Sequence, residues 1–213
     1  MKPFYWLILT YFKAIFFTFH GHRTYGADHL PTGSCIIAPN HASFYDPPII
    51  SISCREEVYF LARKSLFEHF LFGMAIRHLN AFPVAGSAQD LSAFKLIFRL
   101  LKEGKKVVVF PEGIRTLDGN LSEIKSGIGM IAMKSQCPIV PTYIHGTFNI
   151  WPRGKKFPKI WRKSACVFGS PIRAEDFQGI DKKEVHEAIA RRLSDSILEL
   201  QTWYLNGAKG PPP

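Results

Sequence analysis

Short apolar segments alternate along this chain with longer segments whose apolar residues recur at helical spacing. The predicted strands cover residues 35–38, 58–62, 82–84, 106–110, 138–144 and 165–169. The predicted helices cover residues 66–76, 122–135 and 181–204. A further predicted helix opens with a capping box at Ser87 and Asp90 and ends at Gly104. Strands that alternate with helices predict an α/β fold, with a largely parallel central sheet flanked by helices.

A polar loop follows the first of these strands and carries a histidine and a carboxylate. His41 and Asp46 stand five positions apart in Asn40-His41-Ala42-Ser43-Phe44-Tyr45-Asp46. A histidine acts as a general base near neutral pH when a carboxylate fixes its tautomer and stabilises the imidazolium. The alternative interpretation is structural, since prolines at positions 47 and 48 make Asp46 a candidate N-cap of a helix.

A second loop follows the strand 106–110 and reads Pro111-Glu112-Gly113-Ile114-Arg115. The planar guanidinium of Arg115 suits a phosphate, because it donates two parallel hydrogen bonds to oxyanions. Gly113 allows the backbone to approach a ligand closely. The alternative is a surface ion pair between Glu112 and Arg115 that holds the turn.

Together the two loops resemble the glycerophospholipid acyltransferase family, in particular its 1-acylglycerol-3-phosphate acyltransferases, over roughly residues 30–170. Asn40, His41, Ser43 and Asp46 match the first block of the family, and Phe110, Pro111, Glu112, Gly113 and Arg115 match the second. The resemblance implies that His41 and Asp46 are catalytic. It also implies that Glu112, Gly113 and Arg115 bind the substrate, with Ser43 in a weaker role.

One block of the family pattern differs in this chain. The family often has an arginine after the third strand, but here Val84 is followed by Ala85 and Gly86. Arg63 and Lys64 resemble a family segment with a phosphate-facing lysine. The resemblance therefore implies that these two cations take part in binding the phosphate of the acceptor.

The chain begins with a nearly continuous apolar and aromatic run at residues 4–19. A bilayer span needs about 20 such residues, and this run has sixteen with Lys13 inside it. We expect a membrane-associating helix in residues 1–22, with a single span or a core helix as alternatives, then an acyltransferase domain in residues 23–205 and a disordered tail in residues 206–213. The apolar residues of the helix 66–76 are predicted to be core, or in part a wall for an acyl chain.

The net charge of +10 indicates an anionic partner, either an acidic membrane surface or nucleic acid. Residues 151–163 interleave six lysines and arginines with two tryptophans and a phenylalanine. Beside an apolar N-terminus, this pattern favours the cytoplasmic face of a membrane, with peripheral or monotopic attachment, and no nucleic acid. The four cysteines are widely spaced and predict neither a disulfide framework nor a metal site.

The expected activity is transfer of a fatty acyl group from an acyl thioester to the 2-hydroxyl of 1-acylglycerol 3-phosphate, which gives phosphatidic acid. The donor is acyl-CoA or acyl carrier protein, used as a substrate, and no cofactor is expected. The alternatives are another acceptor, namely a different lysolipid or glycerol 3-phosphate, and a non-catalytic peripheral protein that binds lipid.

Overall fold

The computed structural model describes residues 3–85, 91–181 and 184–213, and its centre is a seven-stranded sheet. The strands are β1 (Arg23–Tyr25), β2 (Cys35–Pro39), β3 (Val58–Arg63), β4 (Ala81–Val84), β5 (Lys106–Val108), β6 (Ile139–His145) and β7 (Ala165–Phe168). Their order across the sheet is β1-β7-β6-β2-β5-β3-β4. The five strands from β6 to β4 are mutually parallel, whereas β7 and β1 run in the opposite direction. The predicted α/β fold with a largely parallel sheet is confirmed.

Helices cover both faces of this sheet. They are α1 (Pro3–His20), α2 (Asp46–Ser53), α3 (Phe70–His78), α4 (Leu91–Lys102), α5 (Gly127–Ser135), α6 (Thr147–Ile150) and α7 (Val185–Leu205). All five residues of β2 are buried, because helices pack on either side of it. Ile36 packs in the core that α4, α5 and α7 share, and Ile37 packs in the core under α1 and α2. Each such buried side chain contributes about 1.5–3 kcal/mol to folding.

The register of β2 and β5 brings the two motif loops together. Ile36 lies opposite Val107 and Ile37 opposite Val108 in a parallel pair, so both strands end at the same edge of the sheet. The carboxyl edge of a parallel sheet is where α/β proteins bind ligands. The prediction that the two loops converge at one edge is confirmed.

The first and last residues of the described chain pack against the main domain. In α1, Tyr5, Leu9 and Phe16 are buried, and the backbone N–H of Val58 donates to the Tyr5 hydroxyl at 3.1 Å. The sequence predicts a disordered tail, but the Pro213 carbonyl accepts a hydrogen bond of 3.0 Å from the Ser170 N–H. Long-range bonds of this kind cannot be inferred from a Gly/Pro-rich composition, and they explain why the tail differs from the prediction.

Two short elements, β1 and α6, were not predicted, because three or four residues are too few to show a period. Gly104, at φ +76°, follows the end of α4 as predicted. The capping box predicted at Ser87 and Asp90 lies outside the described residues, as do positions 182 and 183 of the last predicted helix.

Candidate active site

The loop after β2 is organised around one carboxylate oxygen of Asp46. Oδ2 of Asp46 accepts hydrogen bonds from His41 Nδ1 at 2.7 Å and from the backbone N–H groups of Ala42 at 2.7 Å and Ser43 at 2.8 Å. Asp46 is fully buried. It is the first residue of α2 and not its N-cap, which is Tyr45. The helix that the prolines start therefore holds Asp46 under the loop, where it bonds to the imidazole.

Three contacts hold His41 in place, two through its ring and one through its backbone. Its Nδ1 faces Asp46, and the ring stacks on Phe110 with centroids 3.9 Å apart. The His41 carbonyl accepts from the Thr116 N–H at 2.8 Å, which ties its backbone to the second loop. With an N–H on Nδ1 donated to the carboxylate, Nε2 carries the lone pair and can accept a proton from a ligand. The side chain is 18% exposed, so a ligand can reach it.

Glu112 joins the two motif loops through backbone bonds. Its Oε1 accepts from the His41 N–H at 2.6 Å, and its Oε2 accepts from the Ser122 N–H at 2.8 Å. Burial raises the pKa of this carboxyl group. From the sequence, Glu112 was expected either to bind substrate or to form a surface ion pair with Arg115. The structure shows neither arrangement, because the side chain is buried and both of its oxygens accept backbone N–H groups.

Asn40 and Ser43 also hold the loop. The amide of Asn40 bridges to β6, since it donates to the Ile144 carbonyl at 3.1 Å and accepts from the Ile144 N–H at 2.7 Å. The Ser43 hydroxyl is buried and donates to the Trp151 carbonyl at 2.7 Å. This placement differs from the assignment of Ser43 to substrate binding, because its hydroxyl is used within the protein.

Arg115 lies beside the His41 loop. Its guanidinium carbon is 3.6 Å from the centroid of the Phe44 ring, a cation–π contact. One of its terminal nitrogens is buried without a hydrogen-bond partner among the residues that the structure describes. Burial, and then the positive charge of Arg153, lower the pKa of Arg115, while Asp46 raises it and Arg63 lowers it further. An anion placed here would satisfy both the nitrogen and the excess of positive charge.

Arg63 and Lys64 stand at the end of β3, on the same edge of the sheet, and both are exposed. Arg153 is a cation that sequence reasoning did not assign to this site. The residue before it, Pro152, pairs across from Ser43 in an isolated bridge, and the Trp151 ring lies 5.2 Å from that of Phe44. The absence of an arginine after Val84 is the sequence signal for a further cation.

Gly113 lies at the tip of the second loop with φ at +77°, a conformation that favours glycine. A Cβ atom at this position would come 3.1 Å from the ammonium of Lys125. The turn therefore brings one more cation close to the backbone of the second motif. Among the described residues, no group of His, Cys, Asp or Glu side chains is arranged to hold a metal ion.

An apolar surface extends along the outer face of α1 and onto α3. Phe4, Leu7, Tyr11 and Phe17 of α1 are all more than half exposed. The Phe4 ring lies 5.3 Å from that of His78 at the end of α3, where Phe70 is 81% exposed and Phe72 and Met74 are also exposed. The interpretation of these α3 residues as core is therefore wrong, since no other element covers them in the described chain. No helix of the described residues is long and apolar enough to cross a bilayer.

Comparisons with known proteins agree with this fold and motif pattern. Residues 22–145 match the family model described as Acyltransferase. The chain is 30% identical over 183 residues to the 1-acyl-sn-glycerol-3-phosphate acyltransferase of Bacillus subtilis, covering 85% of this chain and 88% of that protein. It is 26% identical over 199 residues to the protein of the same name from Streptococcus pneumoniae, covering 91% of this chain and 71% of that protein.

A solved structure has the same fold. The crystal structure of the 1-acyl-sn-glycerophosphate (LPA) acyltransferase PlsC from Thermotoga maritima aligns with a TM-score of 0.70 at 24% identity. The alignment covers 94% of this chain and 78% of that one.

Proposed function

Since this chain belongs to the acyltransferase family, we propose that it transfers a fatty acyl group from an acyl thioester to the 2-hydroxyl of 1-acylglycerol 3-phosphate, releasing phosphatidic acid. The observation that carries the proposal is the contact of 2.7 Å between His41 Nδ1 and the buried Asp46 carboxylate, beside the loop that carries Arg115. Binding alone requires no base, so this pair favours an enzyme over a non-catalytic protein that binds lipid.

His41 acts as the base in the proposed reaction. Its Nε2 takes the proton of the acceptor hydroxyl while that oxygen attacks the thioester carbonyl carbon. The tetrahedral intermediate then collapses, the carbon–sulfur bond breaks, and the imidazolium returns the proton to the thiolate that leaves. Asp46 holds the ring in the required tautomer and stabilises its positive charge in between.

The cations at the sheet edge hold the acceptor phosphate. Arg115 has a buried guanidinium nitrogen that no group in the described part of the chain bonds, and it supplies the bidentate geometry. Arg63, Lys64 and Arg153 add positive charge around it. A dianionic phosphate at this point places the glycerol hydroxyls beside the His41 ring, because Arg115 of the second loop stacks on Phe44, which belongs to the same loop as His41.

Glu112 and Gly113 act by positioning in this proposal. A buried carboxylate would repel the substrate phosphate, so contact between the two is unfavourable. Glu112 instead fixes the backbone of His41 through its 2.6 Å bond, and Gly113 gives the second loop its turn. Displacement of a catalytic group by about 1 Å can cost about 10²-fold in rate, so a positioning residue matters for turnover.

The membrane supplies the acceptor. The outer face of α1 and the exposed aromatic residues of α3 lie in the interface, and the basic residues of the segment 151–163 face anionic headgroups. We place the protein on the cytoplasmic face, attached peripherally or monotopically. Acyl-CoA or acyl carrier protein brings the acyl chain, and no cofactor takes part.

The test is formation of phosphatidic acid from 1-acylglycerol 3-phosphate in vesicles, with acyl-CoA and acyl carrier protein as separate donors. His41→Ala should lower turnover by about 10³-fold or more, since it removes both the base and its orientation. His69→Ala is the matched control, because His69 is exposed at the start of α3 and makes no side-chain cap bond. Turnover by His41→Ala close to that of the control would refute the mechanism.

The identity of the acceptor is tested separately. A wild-type protein that is inactive on 1-acylglycerol 3-phosphate but active on glycerol 3-phosphate, or on another lysolipid, would keep the base and replace the acceptor. Inactivity on all of them, with vesicle binding that His41→Ala does not change, would identify a non-catalytic protein that binds lipid.

A further inference from the structure

A basic cavity is lined by residues that the proposed reaction does not use. It has a volume of about 350 Å³ and is lined by His145, Gly146, Asn149, Lys159, Arg162 and Lys163. Within the described ranges, neither a carboxylate nor any proposed active-site residue lines it. Three cations converge on an open and mostly polar space, which is the environment that a phosphate oxyanion requires.

The walls of the cavity are built by close backbone contacts. The last residue of β6, His145, forms one side, and a Cβ atom at Gly146 would overlap the Lys163 carbonyl. On the other side, the Lys159 N–H donates to the Ile150 carbonyl at 2.8 Å, and the Arg162 carbonyl contacts His20 Nδ1 at 2.9 Å. These bonds fix the backbone that carries the three cations.

His145 contributes a titratable ring to this cavity. Its Nδ1 is 3.2 Å from the Tyr143 hydroxyl, and its ring lies 4.6 Å from that of Tyr204. When Nδ1 accepts the hydrogen of the Tyr143 hydroxyl, Nε2 of the neutral ring carries the N–H and can donate it to an anion.

Strained backbone lies within the segment that lines the cavity. Trp161 adopts φ +61°, a left-handed conformation that is strained for a bulky residue. Its indole is 68% exposed and lies 5.4 Å from the Phe19 ring of α1. Its neighbours Lys159, Arg162 and Lys163 line the cavity, while Ile160 beside it is exposed as well.

A basic cavity thus adjoins an exposed apolar rim that is continuous with the outer face of α1. Indole rings anchor at the level of lipid headgroups, and apolar side chains enter the acyl region below. A free phosphate would make no contact with the apolar rim. An anionic phospholipid has a phosphate that suits the basic cavity and acyl chains that suit the rim.

We propose that this cavity binds the phosphate of an anionic phospholipid headgroup, with the rim of Ile160, Trp161 and Phe19 against its acyl chains. The bound lipid is a membrane component and not the reacting acceptor. The site therefore anchors the edge of the sheet to an anionic leaflet independently of acyl transfer.

The experiment compares two double variants of the full chain with the same change in net charge. Arg162→Gln/Lys163→Gln removes two cations from the cavity, and Lys155→Gln/Lys156→Gln removes two exposed cations of the same segment that do not line it. Binding to phosphatidylcholine vesicles with and without phosphatidylglycerol is measured at about 0.5 M salt, where the Debye length is about 4 Å.

We expect the cavity variant to bind vesicles that contain phosphatidylglycerol about tenfold more weakly than wild type, because charge-assisted bonds at contact distance resist screening. The control variant should bind within about twofold of wild type, since its charges act only through the screened field. Equal losses in the two variants would overturn the proposal.

A second measurement separates lipid from free phosphate. The His145 ring resonances are followed by NMR during titration with dihexanoyl phosphatidylglycerol and with inorganic phosphate. We expect the lipid to shift them at the lower concentration. A response to inorganic phosphate alone would overturn the assignment to a lipid, and no response to either would overturn the site.

Discussion

Replacement of Asp46 by asparagine separates the charge of this residue from its shape. In the wild type, one carboxylate oxygen accepts three hydrogen bonds, from His41 and from the N–H groups of Ala42 and Ser43. The amide oxygen of asparagine can occupy the same position and keep the loop in place. The negative charge that stabilises the imidazolium is lost, and this loss acts when His41 carries the proton.

The magnitude follows from the contact distance and the burial. Two unit charges about 4 Å apart interact by about 4 kcal/mol at the effective dielectric constant of partly buried sites. A neutral hydrogen bond recovers about 1 kcal/mol of this. We therefore expect Asp46→Asn to raise the barrier by about 3 kcal/mol, which corresponds to a loss of about 10²-fold in kcat.

The assay is formation of phosphatidic acid over a range of acceptor concentrations, with circular dichroism to establish that the variant is folded. The KM for the acceptor should change by less than about twofold, because Asp46 is buried under the loop and the proposed phosphate contacts lie elsewhere. A folded variant with kcat within about threefold of wild type would refute the role of the charge. It would leave Asp46 as the first residue of α2 and a bond acceptor for the loop.

Two further predictions concern substrate binding and pH. Arg153→Gln should raise the KM for the acceptor about tenfold with little change in kcat. Lys155→Gln should change neither KM nor kcat. Equal KM values for the two variants would exclude Arg153 from the site. Burial, reinforced by the positive charge of His20, lowers the pKa of His22 from 6.5 to about 4. Between these two pH values His22 takes up a proton in the unfolded chain and stays neutral in the folded protein. The free energy of unfolding should drop by about 3 kcal/mol between pH 7 and pH 4 through this residue; urea unfolding of wild type and His22→Gln would show no difference in pH dependence if the reasoning is wrong.

Local patterns in the sequence were sufficient for the sheet and for the centre of the site. The strand before His41 is a continuous buried run, and such runs are typical of parallel strands covered on both faces. The spacing between His41 and Asp46 allows one helix start to hold the carboxylate under the ring, so the pair could be predicted from the motif. Both features depend on residues that are close in the chain.

The parts that were not predicted depend on contacts between distant segments. Glu112 carries a charge that suggests a ligand, and only the structure shows that backbone groups of two loops surround it. Arg153 belongs to the segment 151–163, whose composition indicates a membrane surface. The hydrogen bond from the Ser43 hydroxyl to the Trp151 carbonyl holds the first residues of this segment beside the His41 loop. The exposure of Phe70 could not be predicted either, because the same apolar helix sequence is compatible with a position in the core and with a position facing lipid.

The reversed direction of β7 and β1 has a consequence for how substrate arrives. β1 begins, at Arg23, at the edge of the sheet where β6 ends, since Arg23 pairs with Ala165 and Ala165 pairs with His145. The carboxyl end of α1 therefore reaches the same edge as the His41 loop. On the proposed function, an acceptor reaches the base by lateral diffusion within the leaflet and never crosses bulk water. Turnover then depends on the surface mole fraction of the acceptor, a two-dimensional quantity.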